Sequence, residues 1–326
     1  MGNAEGWYMP RRYTNLVDEH MAARASCGIF DISHQSKFYV QGLGATEWIG
    51  TVFSNDIHAL ADGQIHRSLL LNRQGTIVDK VHLCREDAEH YFIIASTSQE
   101  TADDELLRSK LMSDDLKLRN ETEQWSAMHL LGPDSEHIFQ RVLPDTPYPA
   151  PASFARLRYR GEPILLVRPE KEESGAEGCQ LYCRANKGIA WFEAFLVAGA
   201  IPCGMDAREC LQLEHGTFSV SADGEGLTPH TAGLEKLSRH PHKQSDKRLV
   251  PIRCMEESDT PRKGDTVKDT KGRTVGHVVD GCISPALSHG VALALVNTTH
   301  CAPGTPLRLV IHGLAIPAMV TDATIN

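Results

Sequence analysis

A chain of 326 residues is long enough for two or three domains, and 41% hydrophobic with 23% charged residues is an ordinary globular composition. No stretch approaches the roughly 18 apolar residues of a membrane helix, and the polar segment 1–13 lacks the basic-then-apolar pattern of a secretory leader. A net charge of −9 argues against nucleic acid as a partner, and nine scattered cysteines with no C-x-x-C pair argue against a disulfide framework or structural zinc. Sixteen histidines include no H-x-x-x-H pair, so no metal is expected, and reduced thiols in a cytoplasmic protein are.

In chain order, residues 18–25 read as a short helix closed by Cys27-Gly28. A strand over 37–40 ends at Gly42 and Gly44, and 45–53 is helical. Strands over 66–72 and 77–84 flank the turn Arg73-Gln74-Gly75 and read as a hairpin. A strand over 91–95, a helix over 99–112, a strand over 125–131 stopped by Gly132-Pro133, and a helix over 135–142 follow. The proline-rich stretch 144–151 marks a change of unit. Beyond it come a hairpin turning at Gly161, a strand over 180–183, and helices over 189–199 and 206–216. Residues 224–245 are loop-rich, and the basic run 236–248 reads as a solvated loop. Short β runs at 250–254, 274–279, 291–296, 307–312 and 316–320 predict a small all-β domain over 246–326 behind an α+β region over 1–245.

Several segments, in order, resemble the glycine-cleavage T-protein (aminomethyltransferase) family. Gly6-Trp7-Tyr8-Met9-Pro10 resembles its G-W-x-M-P opening, and 27–34 its V-G-x-F-D-V-S-H segment. Ser54-Asn55-Asp56 is similar to T-N-D, 72–79 to N-x-x-G-G-x-x-D, and Leu131-Gly132-Pro133 to Q-G-P. Residues 203–214 resemble P-x-G-L-x-A-R-D-x-x-R-L-E, and 261–264 with 276–295 the family's tail motifs. The resemblance implies a three-lobed, cloverleaf-like α+β fold with a C-terminal β barrel around a channel for tetrahydrofolate.

The resemblance also implies a site, and the chain departs from it there. Lys80 stands where the family has its catalytic Asp, next to Asp79. An ammonium at that place reverses the local charge and accepts no proton unless its pKa is strongly lowered. Strand alternation puts Asp79 with Ile77, Val81 and Leu83 on one face, and Lys80 with Val78, His82 and Cys84 on the other. Ala95 takes the place of a folate-facing Asn, and Gln180 that of the Glu that grips the pterin, at the end of a segment 168–180 with a small insertion. Gln35 and Arg67 occupy channel-lining places, Arg67 replacing Tyr, and Arg208 keeps an Arg able to hold a carboxylate.

Three functions follow from the resemblance. The first is a tetrahydrofolate-linked methyl or aminomethyl transferase or demethylase, with a diverged site and a small-molecule one-carbon donor. The second is a non-catalytic folate-binding or regulatory protein. The third is the aminomethyltransferase of glycine cleavage itself, with a lipoyl carrier protein as partner.

Overall fold

The computed structural model describes residues 1–4, 6–111, 113–170, 175–218, 226–239, 244–257 and 259–322. Part of the insertion in 168–180, part of the loop 224–245 and the centre of the basic run 236–248 lie outside the described residues. The chain divides into two compact units: Met1–Glu172, Ala176–Met205 and Lys236–Pro241 form one, and Glu173–Gly175, Asp206–Glu235 and His242–Asn326 the other. The proline-rich stretch 144–151 is internal to the first unit.

The first unit begins with β1 (Gly2–Ala4), β2 (Trp7–Met9), α1 (Leu16–Ala25) and β3 (Gly28–Asp31). It continues with β4 (Ser36–Gln41), α2 (Ala45–Val52), β5 (Ile65–Leu71), β6 (Ile77–Asp87), β7 (His90–Ala95), α3 (Glu100–Ser109) and β8 (Lys117–Asn120). Then come β9 (Trp125–Leu131), α4 (Ser135–Val142), β10 (Ser153–Tyr159), β11 (Glu162–Arg168), β12 (Gly178–Arg184), α5 (Gly188–Ala198) and β13 (Ile201–Cys203). The strands build a five-stranded antiparallel sheet, β5-β6-β7-β4-β8, and a six-stranded sheet, β10-β11-β12-β9-β3-β13, in which only the β13–β3 pair is parallel.

Alternation decides what each sheet buries. Phe38, Val40, Val81, Leu83, Tyr91 and Ile93 pack against Trp48, Ile49 and Val52 of α2 and Leu107 of α3. In the other sheet Ile29, Leu130, Ile164, Leu166 and Leu181 pack against Phe139 of α4 and Phe195 of α5. Each such side chain contributes about 1.5–3 kcal/mol through burial. The helices thus cover one face of each sheet, and the opposite faces meet. Phe92 on β7 touches Trp125, Phe154 and Tyr182, with ring centroids 6.2, 6.2 and 5.8 Å away. Arg156 on β10 pairs with Glu86 at 2.6 Å and lies over the Tyr39 ring. The Leu131-Gly132-Pro133 motif has a steric reason: Gly132 has φ +129° and its Cα lies against the Ala23 and Ser26 carbonyls, where a Cβ would collide.

The second unit contains α6 (Met205–Glu214, all but its first residue) and β14 (Lys247–Cys254), β15 (Thr266–Lys268), β16 (Thr274–Ser284), β17 (His289–Asn297), β18 (Pro306–Ile311) and β19 (Leu314–Val320). These strands close a barrel in the order β14-β17-β16-β15-β18-β19. Ile252, Val267, Val278, Ala294, Val296 and Leu309 fill it. The segment after α6 is fastened to β14: Leu249 N–H donates to Thr231 O at 2.7 Å, and Arg248 grips Glu235 through two hydrogen bonds of 2.9 and 3.2 Å. The protein is therefore α+β with a C-terminal all-β barrel.

Candidate active site

Residues directly opposite in a sheet share a face. In the five-stranded sheet Arg67 lies opposite His82, and Leu69 opposite Lys80. His82 in turn lies opposite Ile94, and Ile94 opposite Lys37. Cys84, two residues past His82, lies opposite Phe92, so this cationic face is the one turned toward the six-stranded sheet. On that sheet Gln180 sits two residues from Tyr182 on β12 and shares its face. Gln180 is buried, and its Oε1 accepts a 2.8 Å hydrogen bond from the Tyr182 hydroxyl. Arg67, Lys80, His82 and Gln180 are thus gathered between two sheets.

Local sequence holds these residues in place. The Ser54-Asn55-Asp56 segment fastens the exit of α2 to β5. Asn55 N–H donates to Ser68 Oγ at 3.0 Å and its Nδ2 to Arg67 O at 2.8 Å, while Ser54 N–H donates to Leu69 O at 3.0 Å and Ser54 Oγ accepts the Leu69 N–H at 3.1 Å. Asn72 Oδ1 accepts the backbone N–H groups of Gln74 and Thr76, an Asx turn that sets the β5–β6 hairpin, with Gly75 at φ +77°. Gln35 lies in the turn before β4, and its Oε1 is buried with no hydrogen-bond partner among the described residues.

Lys37 holds that turn. Its side chain is fully buried, and Nζ donates 2.7 Å bonds to the Ser33 and Gln35 carbonyls. Burial lowers its pKa to about 7, against the pull of the Asp31 and Glu100 carboxylates. Neither Lys37 nor Tyr182 stands out in the sequence, where a strand lysine reads as solvated.

Asp79 and Ala95 are not brought to this place. Asp79 lies opposite Leu70, on the helix-covered face, and is fully buried. Its carboxylate accepts the Lys80 N–H at 2.7 Å, the Ser96 N–H at 2.7 Å and the Ser96 hydroxyl at 2.8 Å. Asp103 of α3 is buried beside it. Burial first, and then the Asp79 charge, push the Asp103 carboxyl up to about 10, and burial raises Asp79 as well. Two carboxyls sealed together retain a proton between them. Ala95 packs in the apolar core with Phe38 and Ile93. The local reason is strand pleat: β6 pairs with β5 in regular register from Asp79 to Cys84, its irregularities falling before Asp79, opposite Leu70 and Leu71, and after Arg85.

Arg208 belongs to the second unit, on α6, where it is half-buried. No hydrogen bond or ion pair with the described residues engages its guanidinium.

This arrangement has relatives. The GCVT N-terminal domain family model matches residues 1–239, and that of the glycine cleavage T-protein C-terminal barrel domain matches 247–325. The chain belongs to the glycine cleavage T-protein family. Within the family it is similar to the aminomethyltransferase of Symbiobacterium thermophilum, 29% identical over 97% of this chain and 91% of the relative. It is similar also to that of Prosthecochloris aestuarii, 30% identical over 94% and 90%. The crystal structure of glycine cleavage system aminomethyltransferase T from Bartonella henselae shares the fold, with a TM-score of 0.87 at 22% identity over 98% of this chain and 92% of that one.

Proposed function

We propose that this T-protein family member is a tetrahydrofolate-linked one-carbon transferase of the cytoplasm, taking a methyl or aminomethyl group from a small amine, ether or sulfonium donor. The observation that carries the reading is the cationic face of Arg67, Lys80 and His82 opposed by Gln180. A folate offers carboxylates and a ring edge of mixed donors and acceptors, and both find complements. With Gln180 Oε1 engaged by Tyr182, its amide NH₂ is directed to a ring acceptor, while the buried Gln35 Oε1 is available to a ring N–H. Bound tetrahydrofolate supplies the amine nitrogen that takes the carbon. Lys80 then acts as a fixed positive charge, orienting an acidic donor and stabilising negative charge that develops on a leaving group. Lys37 keeps the Gln35 turn in position.

Two other readings each rest on one observation. The names of the relatives favour the aminomethyltransferase of glycine cleavage, with an aminomethyl-lipoyl carrier protein as partner. The withdrawal of Asp79 to the sealed face favours a folate-binding protein without transfer chemistry. Calorimetric titration with 5-formyltetrahydrofolate separates them. Micromolar binding, weakened roughly tenfold by Arg67→Ala, supports the folate site. Methyl transfer from small donors then supports the proposal, transfer only from the lipoyl carrier supports the second reading, and binding without transfer supports the third. No binding by wild type or by Lys80→Asp removes all three.

A further inference from the structure

In the second unit, Cys210 on α6 and Cys282 on β16 bring their sulfurs to 3.1 Å. The other sulfur contacts at Cys27, Cys203 and Cys301 run to backbone carbonyls instead. One helical turn on from Cys210, Glu214 accepts a short hydrogen bond from the Ser284 hydroxyl, two residues along the strand from Cys282. The helix and the strand therefore meet at two consecutive side-chain pairs, which fixes their register and aims the thiols at each other. Closing the sulfurs to a bond of about 2.05 Å needs a shift on the order of 1 Å.

We propose that Cys210 and Cys282 are a reversible thiol–disulfide pair, oxidised by hydroperoxides, that joins α6 covalently to the barrel. Cys282 is partly buried and the more accessible of the two, so it is the sulfur a small peroxide reaches, whereas Cys210 is 2% exposed and acts as the resolving thiol. Hydrogen peroxide converts the Cys282 thiol to a sulfenic acid with loss of water. The Cys210 sulfur attacks the sulfenic sulfur, and the hydroxyl leaves as a second water, carrying the Cys210 proton. Two thiols give up two protons and two electrons, and one peroxide becomes two waters. A hydrogen bond in which the Cys282 S–H donates to the Cys210 sulfur, together with burial, holds the Cys282 thiol protonated, well above the ordinary thiol range. The pair is thus slow to oxidise and remains a dithiol until peroxide is sustained. A dithiol exchanging with this bond restores both sulfhydryls.

The test is a non-reducing peptide map of the full-length protein after graded hydrogen peroxide, with and without dithiothreitol. The expected product is one peptide pair joining Cys210 to Cys282, an intact mass lower by two hydrogens, and full reversal by dithiothreitol. The bond closes a long loop, so the oxidised protein is expected to melt a few degrees higher. Cys210→Ala and Cys282→Ala each abolish the cross-link and the melting shift, and Cys210→Ala leaves an unresolved sulfenic acid at Cys282. A wild-type map in which Cys301 oxidises while Cys210 and Cys282 stay reduced, or in which another pair is joined, overturns the proposal without reference to any variant.

Discussion

The two faces of the five-stranded sheet carry opposite charges and opposite degrees of closure. One presents Lys37, Arg67, Lys80 and His82 toward a second sheet; the other buries Asp79 and Asp103 in an apolar layer under α2 and α3. Adjacent residues of one strand, Asp79 and Lys80, thereby fall into unrelated environments. On the acidic side the Asp79 oxygens are held by Ser96 and the Lys80 backbone. On the proposed function, Lys80 acts on the ligand, whereas its neighbour Asp79 serves the core.

This contrast can be broken experimentally. Asp79→Ala, which strands the Ser96 donors and leaves Asp103 without its partner, is expected to lower stability by about 3 kcal/mol in urea denaturation. Folate affinity of the folded fraction should not change; a large affinity loss would show that the two faces are coupled. Lys80→Asp and Arg67→Ala should do the reverse, changing stability by less than about 1 kcal/mol and 5-formyltetrahydrofolate affinity by roughly tenfold.

The same faces give opposing pH slopes. The Asp79–Asp103 pair keeps a proton, with Asp103 at about 10, that the unfolded chain releases near its ordinary value of about 4, so its contribution falls as pH rises through that window. Lys37 loses its proton at about 7 in the folded state and only near its ordinary value of about 10.5 when unfolded, so its contribution rises over that range. Between about pH 7 and 8, below the range in which buried thiols such as Cys27 and Cys203 add their own falling slope, the two cancel, and wild-type stability is expected to be nearly flat. Asp103→Asn should tilt it upward with pH and Lys37→Met downward, each by roughly 1 kcal/mol per pH unit. Parallel curves for all three proteins would refute the assignment. The smallest effect is Tyr182→Phe, which frees the Gln180 amide to rotate; about a threefold loss of folate affinity is expected with stability little changed.

Much of this was legible in the sequence. Long alternating strands such as β6, the amphipathic helices and the hairpin turns carry local signals, and the split of Asp79 from Lys80 follows from pleat alone. Short elements were not legible. β3 is four residues with no polar alternation before Asp31, β8 is a polar edge strand, and β13 is three residues whose partner lies far back in the chain. Asp103 sits in an acidic run that reads as a solvated helix face, and Lys37 in a strand whose polar positions read as exposed. Both are buried by segments remote in sequence. The grouping of α6 with the barrel, rather than with the region before it, has no compositional mark either.

The order of strands has a consequence for synthesis. Every strand of the five-stranded sheet lies between Ser36 and Asn120, so that sheet can pair and cover its core as soon as this segment has left the ribosome. The six-stranded sheet starts earlier, with β3, yet waits for β13 at Ile201–Cys203, and its cost in loop closure is correspondingly larger. The nascent chain therefore carries β3 unpaired while an inserted sheet folds ahead of it, and the Phe92 face of that sheet stays uncovered until Trp125, Phe154 and Tyr182 have emerged.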